Sequence, residues 1–392
     1  MRNGYLKTYE SLSENIKTDF AIIGGGISGA LLAWRLTSEG ASITLIDRRH
    51  IGMGSTCAST ALLQYDIDRA LHELIDLMGE KKAVRAYKLS LKALCDLISQ
   101  TAKLEIHSSC EQRSGLRFAK FKKDVGFLEK EFKARRRHGF DVEFWEQSAV
   151  ENHFPFSSPA ALYTGESAIA DPFRMTHAFL QDAISAGAKV FDKTEIKNIE
   201  RLKKSVVLHT SDGKKINASK IIIACGYEAV NFVPFKIGKL ASTYCAISEP
   251  LPTKEIWFEN CNFWNTDDPY NYGRTTTDNR IIFGGEDEPF YNPSKRDKLL
   301  SKKTEKLRSQ FKKMFPDLPF KVDYSWGGTF IETDDGLPYI GSIKQLSHTY
   351  FALGYGGNGI TFSQLAADIL ADLLLGRKNK DAEIFSFDRK TD

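Results

Sequence analysis

The stretch from residue 20 to residue 47 restricts the possible folds more than any other part of this chain. Phe20-Ala21-Ile22-Ile23 is a short apolar run of buried-strand type, GGGISG follows at Gly24 to Gly29, and ALLAWRLTSEG continues with helical spacing to Gly40. Strand, glycine turn and helix in this order have a physical logic. Gly24 makes the tight turn, Gly26 lets a pyrophosphate come against the backbone, and Gly29 lets helix and strand pack closely. The helix N-terminus then turns free amides and its positive dipole end toward the phosphates. Ser42 to Ile46 forms the next strand and ends in Asp47, 18 residues past Gly29, where an acid holds a ribose hydroxyl. The stretch predicts a dinucleotide-binding βαβ unit; the competing reading is a glycine turn without a ligand.

A second glycine turn, GYGGNG at Gly354 to Gly359, lies between an apolar run, Tyr350 to Leu353, and a helical pattern, Ile360 to Leu375. A complete βαβ unit needs about 30 residues and a second strand ending in an acid. Only 33 residues follow Gly359; the helix takes about half, and Ile384-Phe385-Ser386-Phe387 is an apolar stub without a ribose acid. What remains is a turn aiming backbone amides at something electron-rich, and the pyrimidine edge of a flavin is such a group. One FAD using both turns, its pyrophosphate at the first and its isoalloxazine at the second, is the reading taken here. The alternative is a turn that only packs a terminal helix.

Composition narrows the class. The chain has 392 residues, 42% hydrophobic and 27% charged, enough for about two domains with a full core. Cys57, Cys95, Cys110, Cys225, Cys245 and Cys261 show no CxxC pairs, so free thiols in a reducing cytoplasmic compartment are expected. No signal-peptide core and no run near the ~18 apolar residues of a spanning helix is present, so no transmembrane segment is expected. A net charge of +4 and the basic run Lys133 to Phe140 read as a solvated helix face and not as a nucleic-acid patch. The eight histidines show no metal-ligand spacing. A βαβ start, a helix-rich stretch from about 67 to 137, and interleaved strands and helices thereafter suit one nucleotide-binding domain interrupted by excursions.

Five blocks carry a family resemblance: AIIGGGISGA with LIDRR; GMGSTCASTALL; AIADPFRMTHAFLQDAISAGAKVFDKTEI; KIIIACGYEA; and WGGTFIETDDGLPYIG with ALGYGGNGITFSQLAADILADLL. In these, over residues of about 19 to 373, the chain resembles the D-amino-acid oxidase, glycine oxidase and sarcosine oxidase superfamily of FAD-dependent enzymes. The fold so implied is α/β: a Rossmann-like FAD-binding domain, discontinuous over 17–95, 167–238 and 327–392, with a smaller α+β substrate domain of 96–166 and 239–326. The resemblance implies pyrophosphate contacts at Gly24, Gly26, Ile27, Ser28 and Gly29, and ribose contact at Asp47 beside Arg48. It implies phosphate and flavin contacts at Ser55, Thr56, Ser59 and Thr60, an adenine contact at Ile196, and a strand end near the pyrophosphate at Ala224 and Gly226. Gly357, Asn358, Gly359, Ile360 and Thr361 match residues along the flavin pyrimidine. Asp47 stands where members usually have Glu, which makes NAD harder to exclude. FAD is expected to be non-covalent, since Trp326 to Asp335 contains no cysteine.

Family chemistry is hydride transfer to the flavin from a carbon bearing an amine, or sometimes a hydroxyl. Oxygen or another electron acceptor then reoxidises the flavin; the lysine that sarcosine-oxidase-like members use here aligns with Ile282. Amino-acid-oxidising relatives present an arginine in W-x-G-x-R-P, whose fork grips the substrate carboxylate. Here the stretch is Trp326-Gly327-Gly328-Thr329-Phe330-Ile331, with Phe330 at the arginine position. The WGG resembles the amine-oxidising branch typified by gamma-glutamylputrescine oxidoreductases, so a primary or secondary amine, acylated polyamines included, is the expected substrate. An amino-acid or 2-hydroxy-acid substrate anchored by Arg274 is the alternative, with a strand-edge surface arginine as the plain reading of that residue. A flavin-binding electron carrier without small-molecule turnover is the third reading. Tyr270 and Tyr272 alternate toward this segment and either orient substrate or pack. Gln64 either reaches the flavin's reactive edge or supplies helix N-terminal polarity together with Asp66 and Asp68.

Overall fold

The computed structural model describes residues 7–389. Among them the strands form two sheets. The first runs Tyr339–Ser342, Thr349–Leu353, Lys215–Ile223, Ile16–Ile23, Ile43–Ile46, Lys189–Phe191, and all but its first pairing are parallel. Val206–Thr210 and Ile196–Arg201 extend it as an antiparallel branch from Lys215–Ile223. Parallel strands covered on both faces are continuous apolar runs, and Ile221, Ile222 and Ile223 are wholly buried. One face packs under the helices Ile27–Ser38, Pro172–Ser185 and Gly359–Leu374, which bring Leu31, Leu36, Phe179, Phe362 and Leu365 into a shared core. Ser28 Oγ lies 2.7 Å from Ser363 Oγ, tying the helix after the first glycine turn to the helix after the second.

Register decides where the ligand goes. Ile23 pairs with Ile46 on one side and Ile223 on the other. Gly24, Asp47 and Ala224, each one residue further on, therefore emerge together at the carboxyl edge of the sheet, where open α/β sheets bind ligands.

The second sheet runs Val322–Glu332, Lys239–Ser248, Ile281–Glu288, Tyr272–Thr275, Asn262–Asn265, Glu111–Phe118, Ala160–Ile169, Leu62–Gln64, with Glu143–Glu146 also paired to Ala160–Ile169. The helix Pro293–Met314 covers one face, where Leu307, Phe311 and Met314 pack with Tyr244, Phe263, Phe283 and Phe315. No helix among the described residues is long and apolar enough to cross a membrane.

Two local readings need correction. The helix-rich stretch contains Leu71–Met78, Glu80–Thr101 and Val125–Arg137, but the strand Glu111–Phe118 interrupts it. EQRSGLRF carries little apolar alternation, and only ladders to Ala160–Ile169 and Asn262–Asn265 make it a strand. The basic run is not a solvated face throughout. Arg135 is buried, gripping Asp66 Oδ1 and Oδ2 at 2.6 Å each and Glu131 Oε1 at 2.7 Å, while Arg136 and Arg137 are exposed. Removing one partner of such a buried set costs about 3–5 kcal/mol, because the remaining charge is stranded.

Candidate active site

At the first turn Gly24 has φ +115°, and a Cβ there would stand 2.4 Å from the Ala224 carbonyl oxygen. A Cβ on Gly29 would meet the Gly24 carbonyl at 1.9 Å, so the helix can approach the strand only as glycine. Gly26 keeps the backbone bare toward Thr56, whose Oγ1 accepts the Ile27 amide at 3.0 Å. Asp47 accepts the Gly25 amide through Oδ2 and the Arg49 amide through Oδ1, both at 2.8 Å. Burial pushes its carboxyl above the usual range, against those two hydrogen bonds. Arg48 and Arg49 both reach Glu228, at 2.7 and 3.3 Å.

The turn carrying Ser55, Thr56, Ser59 and Thr60 is fixed from the second sheet. Trp326 Nε1 donates to the Ala58 carbonyl at 2.8 Å, and Arg274 Nε donates to the Thr60 carbonyl. Arg274 also donates to the carbonyls of Thr275 at 3.0 Å and Ala170 at 3.1 Å. It is neither a surface arginine nor a cavity residue: it is 5% exposed, and burial of its charge lowers its pKa to about 10. Each of its three nitrogens is committed to a backbone carbonyl and the side chain is not on the cavity wall, which counts against the carboxylate-anchoring role considered for it.

At the second turn Gly357 N donates to Asp68 Oδ2 at 3.0 Å. Asn358, the residue before the terminal helix, is buried and donates its side-chain amide to the Asp66 carbonyl at 2.6 Å. Thr361 Oγ1 donates to the Gln64 carbonyl at 3.2 Å. These two side chains therefore fasten the 64–68 segment to the turn and do not face the cavity.

Both turns border one cavity of about 680 Å³. Gly24, Gly26, Ile27, Ser28, Asp47, Arg48, Ser55, Thr56, Ser59, Thr60, Ile196, Ala224 and Gly226 line it toward the first turn, and Gly357, Gly359 and Ile360 at the second. Gln64, Tyr270, Tyr272, Trp326 and Phe330 complete the wall named from sequence. Gly29, Asn358, Thr361 and Arg274 do not line it; each acts behind the wall through the packing contacts above.

Other residues of the wall carried no sequence signal. Asp287 sits there beside Tyr270 and Tyr272, whose rings are 5.9 Å apart. Burial pushes the Asp287 carboxyl up to about 6; a Thr243 hydrogen bond opposes this, and the Glu332 and Asp68 carboxylates add to it. Burial also lifts both tyrosine hydroxyls well above their ordinary value, so they remain protonated. Asp68 is likewise pushed up, to about 6, by the protein atoms crowded around it, although its side chain still meets solvent. Arg296 reaches the cavity from the covering helix, bonded to Asp297 Oδ1 at 3.0 Å and Thr329 Oγ1 at 3.2 Å. Only the β-bulge and helix packing bring these groups to the cavity, so spacing along the chain does not reveal them.

A glycine cradle at a parallel-sheet edge, an acid at the next strand end and a second glycine turn on the same cavity suit a flavin dinucleotide. The chain belongs to the DAO family of FAD-dependent oxidoreductases, whose model matches residues 19–373. It is an FAD-dependent oxidoreductase. The chain is 22% identical to a probable oxidoreductase OrdL from Haemophilus influenzae over 94% of this chain and 85% of that one. It is 24% identical to gamma-glutamylputrescine oxidoreductase of Escherichia coli over 96% and 87% respectively. In fold it is similar to L-proline dehydrogenase from P. horikoshii, with a TM-score of 0.81 at 21% identity over 95% of this chain and 97% of that structure.

Proposed function

We propose that this flavoenzyme oxidises primary or secondary amines, acylated polyamines among them, without a carboxylate clamp. The observation that carries this reading is Phe330: an aromatic lines the cavity where amino-acid-oxidising relatives present an arginine, and Arg274 is turned away into backbone carbonyls. Absence of a buried bidentate partner costs a carboxylate ligand about 2–5 kcal/mol. The likeness to a gamma-glutamylputrescine oxidoreductase supports an amine substrate.

FAD held at this site would supply the hydride acceptor for the carbon that bears nitrogen. The chain's own residues supply binding and orientation. In this reading the bare backbone at Gly24, Gly26, Ile27 and Ser28 receives the pyrophosphate, Asp47 the ribose, and Gly357, Gly359 and Ile360 the pyrimidine edge. Tyr270, Tyr272, Trp326 and Phe330 enclose the alkyl body of the amine and exclude water from it. The Gln64 Oε1, buried without a hydrogen-bond partner among the described residues, is free to accept from the amine or the flavin. The six cysteines are free thiols, and the two on the cavity wall, Cys225 and Cys245, are held protonated by burial, which supports non-covalent FAD and a cytoplasmic setting. Oxygen or another acceptor closes the cycle.

Oxidation of an amino acid or 2-hydroxy acid is the second reading. What favours it is Arg296, whose guanidinium reaches the cavity wall near Thr329. Visible spectra of the purified protein, recorded during anaerobic addition of amines, amino acids and hydroxy acids, separate the two. Flavin bands that bleach with amines and not with small amino acids are expected; bleaching by carboxylate donors alone would transfer the assignment to the second reading.

A further inference from the structure

Asp287 puts a carboxyl on the cavity wall, and a local irregularity of the sheet places it there. Register slips between Ser242 and Tyr244 along the strand Ile281–Glu288, and Glu286 there has φ 60°. The slip sends Glu286 to the covering helix, where it meets Lys303 and Lys306 at 3.1 and 3.2 Å, and leaves Asp287 on the cavity wall. Asp287 Oδ1 is buried with no hydrogen-bond partner among the described residues. Lys303, the cation acting on it most directly, is already held by Glu286 and by Glu288 at 2.6 Å. Glu332 and Asp68 add negative potential at the same place. Thr243 is the hydrogen-bond donor acting on this carboxyl, Oδ1 is left with none, and with two further carboxylates acting on it the ionised form is unfavourable in the free protein and gains most from a cationic donor.

We propose that Asp287 binds a positively charged nitrogen of the substrate other than the one being oxidised, so that the substrate is a diamine or polyamine carrying a second ammonium. This rests on the amine reading above. The nitrogen next to the oxidised carbon must lose its proton to release its lone pair, and a carboxylate beside it would favour the protonated form. Asp287 therefore serves the remote nitrogen. The paired rings of Tyr270 and Tyr272 next to it suit a methylene chain that ends in an ammonium.

The test compares α,ω-diamines of three to six carbons with monoamines of equal length and with the mono-N-acetyl diamines, which keep the length and lose the second charge. Holoenzyme and Asp287→Asn are both assayed for kcat/KM. Calorimetric Kd values are also taken with the flavin reduced beforehand by dithionite, so that no turnover occurs. Wild-type enzyme is expected to prefer diamines over both controls by about 30-fold or more, with Asp287→Asn removing the preference in Kd as well as in kcat/KM. Equal kcat/KM for diamines and monoamines in the wild type, or a preference that survives Asp287→Asn, overturns the Asp287 proposal and leaves the amine reading standing. Flavin reduction by amino acids and by none of the amines overturns both. Where the variant does not fold, equal wild-type kcat/KM for diamines and monoamines still overturns the proposal.

Discussion

The buried guanidinium of Arg274 donates to the backbone carbonyl of Thr60, so a strand of the second sheet holds the turn that borders the cavity. Its other two acceptors, the carbonyls of Thr275 and Ala170, extend the same clamp. Arg274→Ala leaves three carbonyls without their donor and should destabilise the protein by about 2–4 kcal/mol. FAD affinity should fall with it, while relative rates across amines and amino acids stay as they were. Denaturant titration, FAD titration and a substrate panel check this. A selective loss of carboxylate substrates would instead make Arg274 an anchor.

The glycines of the first turn should differ sharply. Gly29→Ala drives a methyl into the Gly24 carbonyl at 1.9 Å, a backbone atom that cannot move aside, and is expected to give little folded holoprotein. Gly26→Ala meets Thr56 Oγ1 at 2.9 Å, a side chain that can rotate, so the protein should fold but bind FAD at least about tenfold more weakly, as one good hydrogen-bonded approach is lost. Circular dichroism together with the visible absorbance of each purified variant distinguishes the two outcomes.

Phe330 is on the edge strand Val322–Glu332, partly exposed to the cavity, with room for a longer side chain to reorient. Phe330→Arg should raise kcat/KM for small amino acids relative to amines by about tenfold or more, the lower range of a charge-assisted clamp. Unchanged relative rates would mean that Phe330 does not face the substrate.

Asp287 gives the site a pH dependence of known sign. With its carboxyl held near 6, the folded protein keeps this proton more tightly than the unfolded chain does. The contribution to stability is therefore complete below about pH 4 and is lost as pH rises through about 6. Asp287→Asn should stabilise the protein at pH 8 by about 1–2 kcal/mol, a shift of two units discounted for the open cavity, and leave it unchanged at pH 4. Thermal unfolding at the two pH values measures this, and equal shifts at both would exclude the carboxyl as the cause.

How much of this was readable in the chain depends on how local the cause is. The strand, GGGISG and helix, and the register-matched Asp47, follow from backbone conformations that neighbouring residues impose on one another, and GYGGNG announces a helix start in the same way. Counting argued against a second βαβ unit, since too few residues remain after Gly359, while the folded structure is what puts both turns on one cavity. Long-range contacts decided the rest. Arg274 and Arg135 look like surface cations in a one-dimensional string, yet each is buried because partners far along the chain, Thr60 and Ala170 for one and Asp66 for the other, meet it in space. Asp287 is one of three consecutive acids, Glu286 to Glu288, and only the register slip against Lys239–Ser248 turns it toward the cavity and Glu286 toward lysines. Sequence by itself determined the backbone cradle for FAD, because glycine conformation is a local property. The charge on the cavity wall was decided by the tertiary structure, because the face a side chain takes depends on the strand it pairs with.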